Sequence, residues 1–442
     1  MQDVLQKIEA AGVVGAGGAG FPAHVKANCK AETVIANGAE CEPLLNVDQC
    51  MMRDHAAEIV AGLQAVMQAT GAKKGVICTK AHYHDAVSAL QKALKGNSEL
   101  SLKLFDSTYP AGDEQVMAYE VTGKVVPTGG LPIDVGAVVF NVSTLKNIYD
   151  AMNDVPVTEK TVTVTGEVKT PLTLSVPIGT PIGQLIDQAN GPKQAAGYLA
   201  IIGGPCMGVL ARDWSLPVTK TTGGIIVVRE DHPLVYTKTE DLQRDIKLAK
   251  AVCCQCSLCT QMCPRNALGL KVEPHKAMRA AANGNGTLLG DINGVFSCCG
   301  CGLCTYYACN FGLNPSAMMM RMKDGLAKAG VKPIKQAAYP VASDYELKKL
   351  PVMRLLSRLG LAQFEAKAPY SDASLPVDRV VIPLKMHIGA TSEAVVEAGA
   401  KVKKGDLIAR IPKGKLGANI HASINGTVEA VSNAEITLRR TV

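Results

Sequence analysis

The segment Cys253 to Cys309 opens with CCQCSLCTQMCP (253–264) and closes with CCGCGLCTYYAC (298–309). The first run reads C-x2-C-x2-C-x3-C-P at Cys253, Cys256, Cys259, Cys263 and Pro264, and the second reads C-x2-C-x2-C-x4-C at Cys298, Cys301, Cys304 and Cys309. Three thiolates at gaps of two wrap one corner of a cubane [4Fe–4S] cluster, and a fourth arrives from a distance. Two such runs imply two clusters close enough to exchange electrons. In two-cluster arrangements the fourth Cys of each run serves the other cluster. Cys253, Cys256, Cys259 and Cys309 are therefore assigned to one cubane, and Cys298, Cys301, Cys304 and Cys263 to the other. Zinc is the alternative for paired C-x2-C spacings, but three thiols at these gaps with a remote fourth fit a cubane better than a tetrahedron. The second run has x4 for x3, and Asn310 stands where the first has proline, so Cys309 is the ligand with least support. Cys254 and Cys299 double the first Cys of each run. Counting from either destroys the gap of two, so packing is their expected role, and the doubling suggests an internal duplication.

A chain of 442 residues predicts roughly three domains. With 47% hydrophobic and 19% charged residues it is globular, and one Trp and six Phe leave the cores to aliphatic side chains. The formal charge of +7 is mild, and no basic block carries interleaved aromatics, which argues against a nucleic-acid partner. No apolar run is long enough to span a bilayer, and the start, MQDVLQKIEA, lacks a signal core. Fifteen cysteines, an odd number, argue against a secreted disulfide framework. The expectation is a cytoplasmic protein in a reducing compartment.

Near the start, GVVGAGGAGFPAHVK (12–26) is a glycine-rich turn opening a helix, where backbone N–H groups and the helix dipole favour an anion; Lys26 adds a charge-assisted contact. Helical spacing at Ile59, Leu63, Val66 and Met67, stopped by Gly71, alternates with strands over 75–79, 100–105 and 135–142 and a helix over 85–94. This predicts a mostly parallel sheet covered by helices, with a ligand in the loops beyond the strand ends.

The glycine-rich turn resembles the flavin-binding loop of the NADH-oxidising subunit of respiratory complex I and of the C subunit of Rnf-type electron-transport complexes. The likeness continues, in the same order, through NGAECEP (37–43), YPAGDE (109–114) and NVSTL (141–145). It implies FMN, with NAD(H) stacked against it. By that pattern Gly15, Gly17, Gly18 and Lys26 face the flavin phosphate and ribityl, and Asn37, Glu40, Gly112, Asp113, Asn141 and Thr144 complete the FMN site. Phe21, Glu42, Tyr109 and Glu114 match the NADH side. Complex I has an Arg at the position of Ala16, an acidic residue at Ala39, and a basic aromatic segment where this chain has PTGGLP (127–132). FMN is thus better supported than NADH. For Glu40 and Glu42, a solvated or capping carboxylate is the competing reading.

Residues from about 160 to 230 resemble the ubiquitin-like SLBB domain, read here as a spacer, with Cys206 and Met207 as core. Five prolines punctuate a linker over 331–376, with an amphipathic helix over 352–361 that exposes Arg354 and Arg358 and packs on its own chain. Residues 377–442 resemble the barrel-sandwich hybrid of lipoyl and biotinyl carriers, but no carrier signature surrounds Lys413 or Lys415. The segment PLKMHIGA (383–390) resembles the opening of the Rnf C subunit, so the module is permuted to the C-terminus. The expected architecture is multidomain α/β. A complex I flavin-subunit-like α/β domain (1–158) precedes a β-grasp SLBB domain (159–232) and a helical double-[4Fe–4S] ferredoxin-like domain (238–330). The linker (331–376) then leads to the barrel-sandwich hybrid (377–442).

That order most resembles the cobalamin reductases of bacterial propanediol-utilisation microcompartments. The resemblance implies electron flow from NADH through FMN and two [4Fe–4S] clusters to cobalamin, reducing cob(III)alamin to cob(II)alamin to cob(I)alamin. An ATP:cob(I)alamin adenosyltransferase and microcompartment shell proteins are the implied partners, in support of diol dehydratase. An NADH-oxidising electron hub with a non-corrinoid acceptor and a relay subunit without flavin are the alternatives. His24, His387 and His421 are read as structural, not as cobalt ligands.

Overall fold

The computed structural model describes residues 2–239, 241–372 and 375–441. The N-terminal α/β pattern builds a four-stranded, all-parallel sheet in the order Leu100–Phe105, Lys74–Lys80, Thr33–Gly38, Ala137–Asn141. Thr33–Gly38 lies inside and is buried along nearly its whole length, as a parallel strand covered on both faces must be. Register sets Asn37 beside Asn141 at the carboxyl edge. Helices Ala56–Thr70 and Val142–Met152 pack on one face, and helix Glu114–Thr122 covers the other. The first pair approach so closely that a Cβ on Gly62 would lie 2.0 Å from the Leu145 carbonyl oxygen, so only glycine fits there.

The β-branched stretch after residue 158 forms a five-stranded sheet in the order Leu172–Pro177, Glu159–Gly166, Gly224–Arg229, Tyr198–Ile202, Val209–Ala211. Only the Glu159–Gly166 and Gly224–Arg229 pair is parallel. Helix Ile182–Gln188 fills its concave face through Ile182, Leu185 and Ile186. Helices Leu242–Val252, Pro274–Asn283 and Pro315–Lys328 surround the cysteine runs with a core of Ala, Leu and Met.

The segment expected as a linker is packed. Leu350–Pro351 pairs antiparallel with Thr108–Tyr109 of the first domain. Helix Val352–Leu359 buries Val352, Leu355, Leu356 and Leu359 against Leu199, Ile201, Ile226 and Cys301, while Arg354 and Arg358 stay exposed. At roughly 2 kcal/mol per buried aliphatic side chain, this strip joins three domains. The C-terminal module has a four-stranded sheet (Arg379–Pro383, Glu435–Arg440, Gly426–Val431, Lys401–Val402) and a three-stranded one (Glu393–Ala394, Leu407–Arg410, Ile420–His421). Its core is continuous with that of the N-terminal domain through Ile8, Ile178 and Ile382. The Ile388 N–H donates to the Gly20 carbonyl (3.0 Å), and buried Lys220 donates to the Gly12 and Asn419 carbonyls (2.6 and 2.7 Å). Lys413 and Lys415 are exposed on a turn. Among the described residues no helix is long and apolar enough to cross a membrane.

Candidate flavin and iron–sulfur site

A cavity of about 900 Å³ opens at the carboxyl edge of the parallel sheet, where an α/β fold places ligands. Its floor is the glycine-rich turn. The Gly15 N–H donates to the Phe21 carbonyl (2.9 Å), closing the turn, and the Ala16 N–H donates to Thr144 Oγ1 (2.9 Å). From the second domain, Lys160 Nζ donates to the Ala16 carbonyl (2.8 Å). Gly18 has φ +125°, and a Cβ built on it meets nothing within 4 Å. The turn thus presents its backbone to open space, as close approach of a phosphate needs.

Gly15, Gly17, Gly18, Lys26, Asn37, Glu40, Gly112, Asp113, Asn141 and Thr144 all line this one cavity, as do Phe21, Glu42 and Glu114. Tyr109 does not. It is 2% exposed, and its hydroxyl donates to the Cys301 carbonyl (2.6 Å) and stands 3.2 Å from Glu42 Oε1. Lys26 is engaged by Glu114 (2.6 Å) and lies 5.5 Å from the centroid of the Phe140 ring.

Of the two carboxylates, Glu40 is buried and Glu42 half-buried. Glu40 Oε2 accepts from the Asp48 N–H (3.1 Å), and Lys80 Nζ donates to the Glu40 carbonyl (2.9 Å). Burial, reinforced by the Asp48 charge, pushes the Glu40 carboxyl up to about 8, and burial draws Lys160 down to about 8. Asn141 Nδ2 donates to both Asp48 oxygens (3.0 and 2.9 Å), while its Oδ1 caps helix Val142–Met152. Glu42 accepts from the Cys206 and Met207 N–H groups (2.8 and 3.2 Å), and burial raises its carboxyl above the usual range.

Asp113 caps helix Glu114–Thr122 and carries the strongest link to the cysteine region. Arg265, two residues after Cys263, donates Nε to both Asp113 oxygens (3.2 and 3.0 Å) and Nη2 to one (2.7 Å). Burial opposes the carboxylate, but the guanidinium and the capping N–H groups outweigh it and hold Asp113 below its ordinary range. Asp48, Lys160 and Arg265 are cavity residues that motif reading missed. Each contacts a partner far away in sequence, and the only local signal was a charge set among apolar neighbours. The SLBB segment does more than space its neighbours, since Lys160, Gly203, Gly204 and Thr222 form cavity wall. Met207, expected as core, is 53% exposed at that wall, while Cys206 is buried.

Cys259, Cys263, Cys298, Cys301 and Cys304 are buried, Cys253 and Cys309 are half-buried, and Cys256 is exposed. Gln255 and Ser257 take φ +58° and +60°, so the first run curls back on itself. Burial pushes the Cys259 and Cys263 thiols up to about 12. Cys259 has Cys309, Cys253 and Cys256 as charged neighbours, and Cys263 has Cys298 and Cys299. The extra residue of the second run falls in a π-helical turn, Cys304–Ala308, that ends at Cys309. Among the described residues no three Cys, His, Asp or Glu side chains close on a single ion. A cubane needs no such point, because each thiolate takes a different iron. Cys254 is exposed and so does not pack as expected, while Cys299 joins Cys301 in the cavity wall.

Comparison with known families matches residues 8–150 to the Nuo51 FMN-binding domain, 161–210 to the SLBB domain, 252–314 to a 4Fe-4S dicluster domain and 363–442 to the RnfC barrel sandwich hybrid domain. Cobalamin reductase PduS of Salmonella typhimurium strain LT2 is 40% identical over 440 residues, covering 99% of this chain and 96% of that protein. Cobalamin reductase PduS of Citrobacter freundii is 38% identical over 444 residues, covering 99% and 97%. The C subunit of the Na(+)-translocating ferredoxin:NAD(+) oxidoreductase complex of Acetobacterium woodii is 36% identical over 260 residues, covering 58% and 56%.

Proposed function

The chain belongs to the cobalamin reductase PduS family, and on that premise we propose that it passes electrons from NADH to cobalamin, with FMN in the described cavity and two [4Fe–4S] clusters on the cysteine runs. The observation that carries this reading is the shared wall: Cys299 and Cys301 of the second run close the same cavity that gathers the flavin candidates. FMN, when bound, supplies the exchange between hydride and single-electron chemistry, which a cobalt acceptor requires.

The chain's own residues do the rest. The turn at Gly15, Gly17 and Gly18 offers its backbone to the phosphate, pinned by Thr144 and Lys160. Asn37, Glu40, Gly112, Asp113 and Asn141 set the polar edges, and Lys26 balances charge with Glu114 at the rim. Phe21, Glu42 and Glu114 are the NADH-side residues; Tyr109 serves the cluster side instead. Cys298, Cys301, Cys304 and Cys263 hold the inner cluster. Cys253, Cys256, Cys259 and Cys309 hold the outer one, whose exposed Cys256 marks the exit. The corrinoid is met at the outer cluster, where Cys256 is exposed. One NADH yields two electrons, one proton and NAD⁺, enough to take one cob(III)alamin to cob(I)alamin in two single steps. Delivery to an adenosyltransferase inside a microcompartment follows from this reading.

The test is anaerobic stopped-flow with NADH and aquacobalamin, following flavin, iron–sulfur and corrin absorbance together. Flavin bleaching, then cluster bleaching, then appearance of the reduced corrin is expected. Bleaching without a corrin change would identify a hub with another acceptor. Iron and sulfide without FMN would identify a relay subunit.

A further inference from the structure

Tyr109 lies behind the cavity wall, and its position is fixed from three sides. Its strand, Thr108–Tyr109, pairs with Leu350–Pro351, placing Tyr109 opposite Leu350. Its ring shares a core with Leu199, Ile201 and Leu355. Its hydroxyl reaches the Cys301 carbonyl at 2.6 Å, across 192 positions of sequence. A phenol has one hydrogen, so the Cys301 carbonyl at 2.6 Å and Glu42 Oε1 at 3.2 Å share it as acceptors, the carbonyl at the shorter distance. Glu42 is itself held by the Cys206 and Met207 N–H groups. First domain, second domain and inner cysteine run therefore meet at one hydroxyl.

We propose that Tyr109 is a positioning residue for the inner cluster: its hydroxyl holds the Cys301 peptide against the flavin cavity and, by drawing electron density from it, raises that cluster's affinity for an electron. Hydrogen-bond donors and dipoles around ligating sulfurs tune cluster potential in this direction. The inference rests on the reading that Cys298, Cys301, Cys304 and Cys263 hold a cluster beside FMN. No covalent bond changes; the residue acts only on where an electron prefers to sit.

The test uses the full-length holoprotein purified without oxygen, with EPR-monitored potentiometric titration of both clusters and assays for FMN, iron and sulfide. Tyr109→Phe keeps the ring and removes the donor. It should lower the potential of one cluster and leave the other in place, with cofactor content unchanged. A tenfold change in the electron equilibrium between the clusters corresponds to 59 mV. Tyr109→3-fluorotyrosine keeps the hydroxyl and makes it a stronger donor, so it should move the same cluster upward. If the Phe variant loses iron, the fluorotyrosine variant decides alone. Unmoved potentials in a fully loaded variant, or equal shifts in both clusters, overturn the proposal. Wild-type protein without FMN or without two sets of sulfide instead overturns the functional reading beneath it.

Discussion

The ion pair between Asp113 and Arg265 fastens the flavin domain to the cysteine domain, and its removal has a predictable size. Asp113→Asn keeps a good helix cap, so it isolates the charge from the capping role. Arg265→Met keeps an unbranched side chain and removes the guanidinium. The side chains are 4% and 13% exposed, so either single change leaves a buried charge without its partner, at about 3–5 kcal/mol. The double variant removes both charges. It loses mainly the Arg265 donation to the Ser297 carbonyl (2.6 Å), about 1 kcal/mol. Hydrogen exchange on the anaerobic holoprotein reads this locally, over residues 114–122 and 264–270. Each single variant should lose about two to four orders of magnitude in protection, since 1.36 kcal/mol is a factor of ten. The double variant should recover most of it. If the double variant is as poorly protected as the two single losses added, the residues are uncoupled and the reasoning fails.

Two further outcomes are expected. Gly18→Val should abolish bound FMN while leaving iron and sulfide in place, because a β-branched residue is an outlier at φ +125° and its side chain would fill the open cradle; flavin absorbance in the purified variant checks this, and retained FMN would mean the phosphate lies elsewhere. His421 is drawn down to about 4 by burial and by the nearby Lys220, so the unfolded chain binds a proton more readily than the folded one between about 4 and 6.5. Its contribution is present above that window and is lost as pH falls through it, by about 3 kcal/mol at most. The thermal midpoint of wild type should therefore fall relative to that of His421→Leu as pH drops from 7 to 4.5, and parallel curves would dismiss the role.

What was readable in the sequence follows the range of the interactions. The spacing of three candidate ligands in each cysteine run, the Gly71 helix stop and the strands near 75–79 and 100–105 depend on neighbours a few residues away, so they are legible in the sequence. The π-helical turn before Cys309 is a backbone event with no residue-type signature, which is why the x4 gap reads as an irregularity. Lys160 was invisible for a different reason. It sits near the start of a strand of alternating β-branched residues, with no motif around it, yet it reaches the Ala16 carbonyl 144 positions away. Tyr109 is the instructive case. Its motif associates it with a nicotinamide, whereas packing turns its hydroxyl toward Cys301.

The same long-range contacts explain why the SLBB domain is not a spacer. A spacer would touch its neighbours through apolar surface alone and leave the cavity intact if swapped for another fold. Here Glu42, from the flavin domain, is held by two backbone N–H groups of the SLBB domain, and Lys160 holds the floor of the glycine-rich turn. Removing the Glu42 carboxylate would leave the Cys206 N–H without its acceptor, at about 1–3 kcal/mol. The carboxylate is therefore shared between the flavin domain and the next domain. The cavity is in that sense a product of domain order, and the arrangement of flavin, SLBB and cluster segments along the chain is itself part of the site.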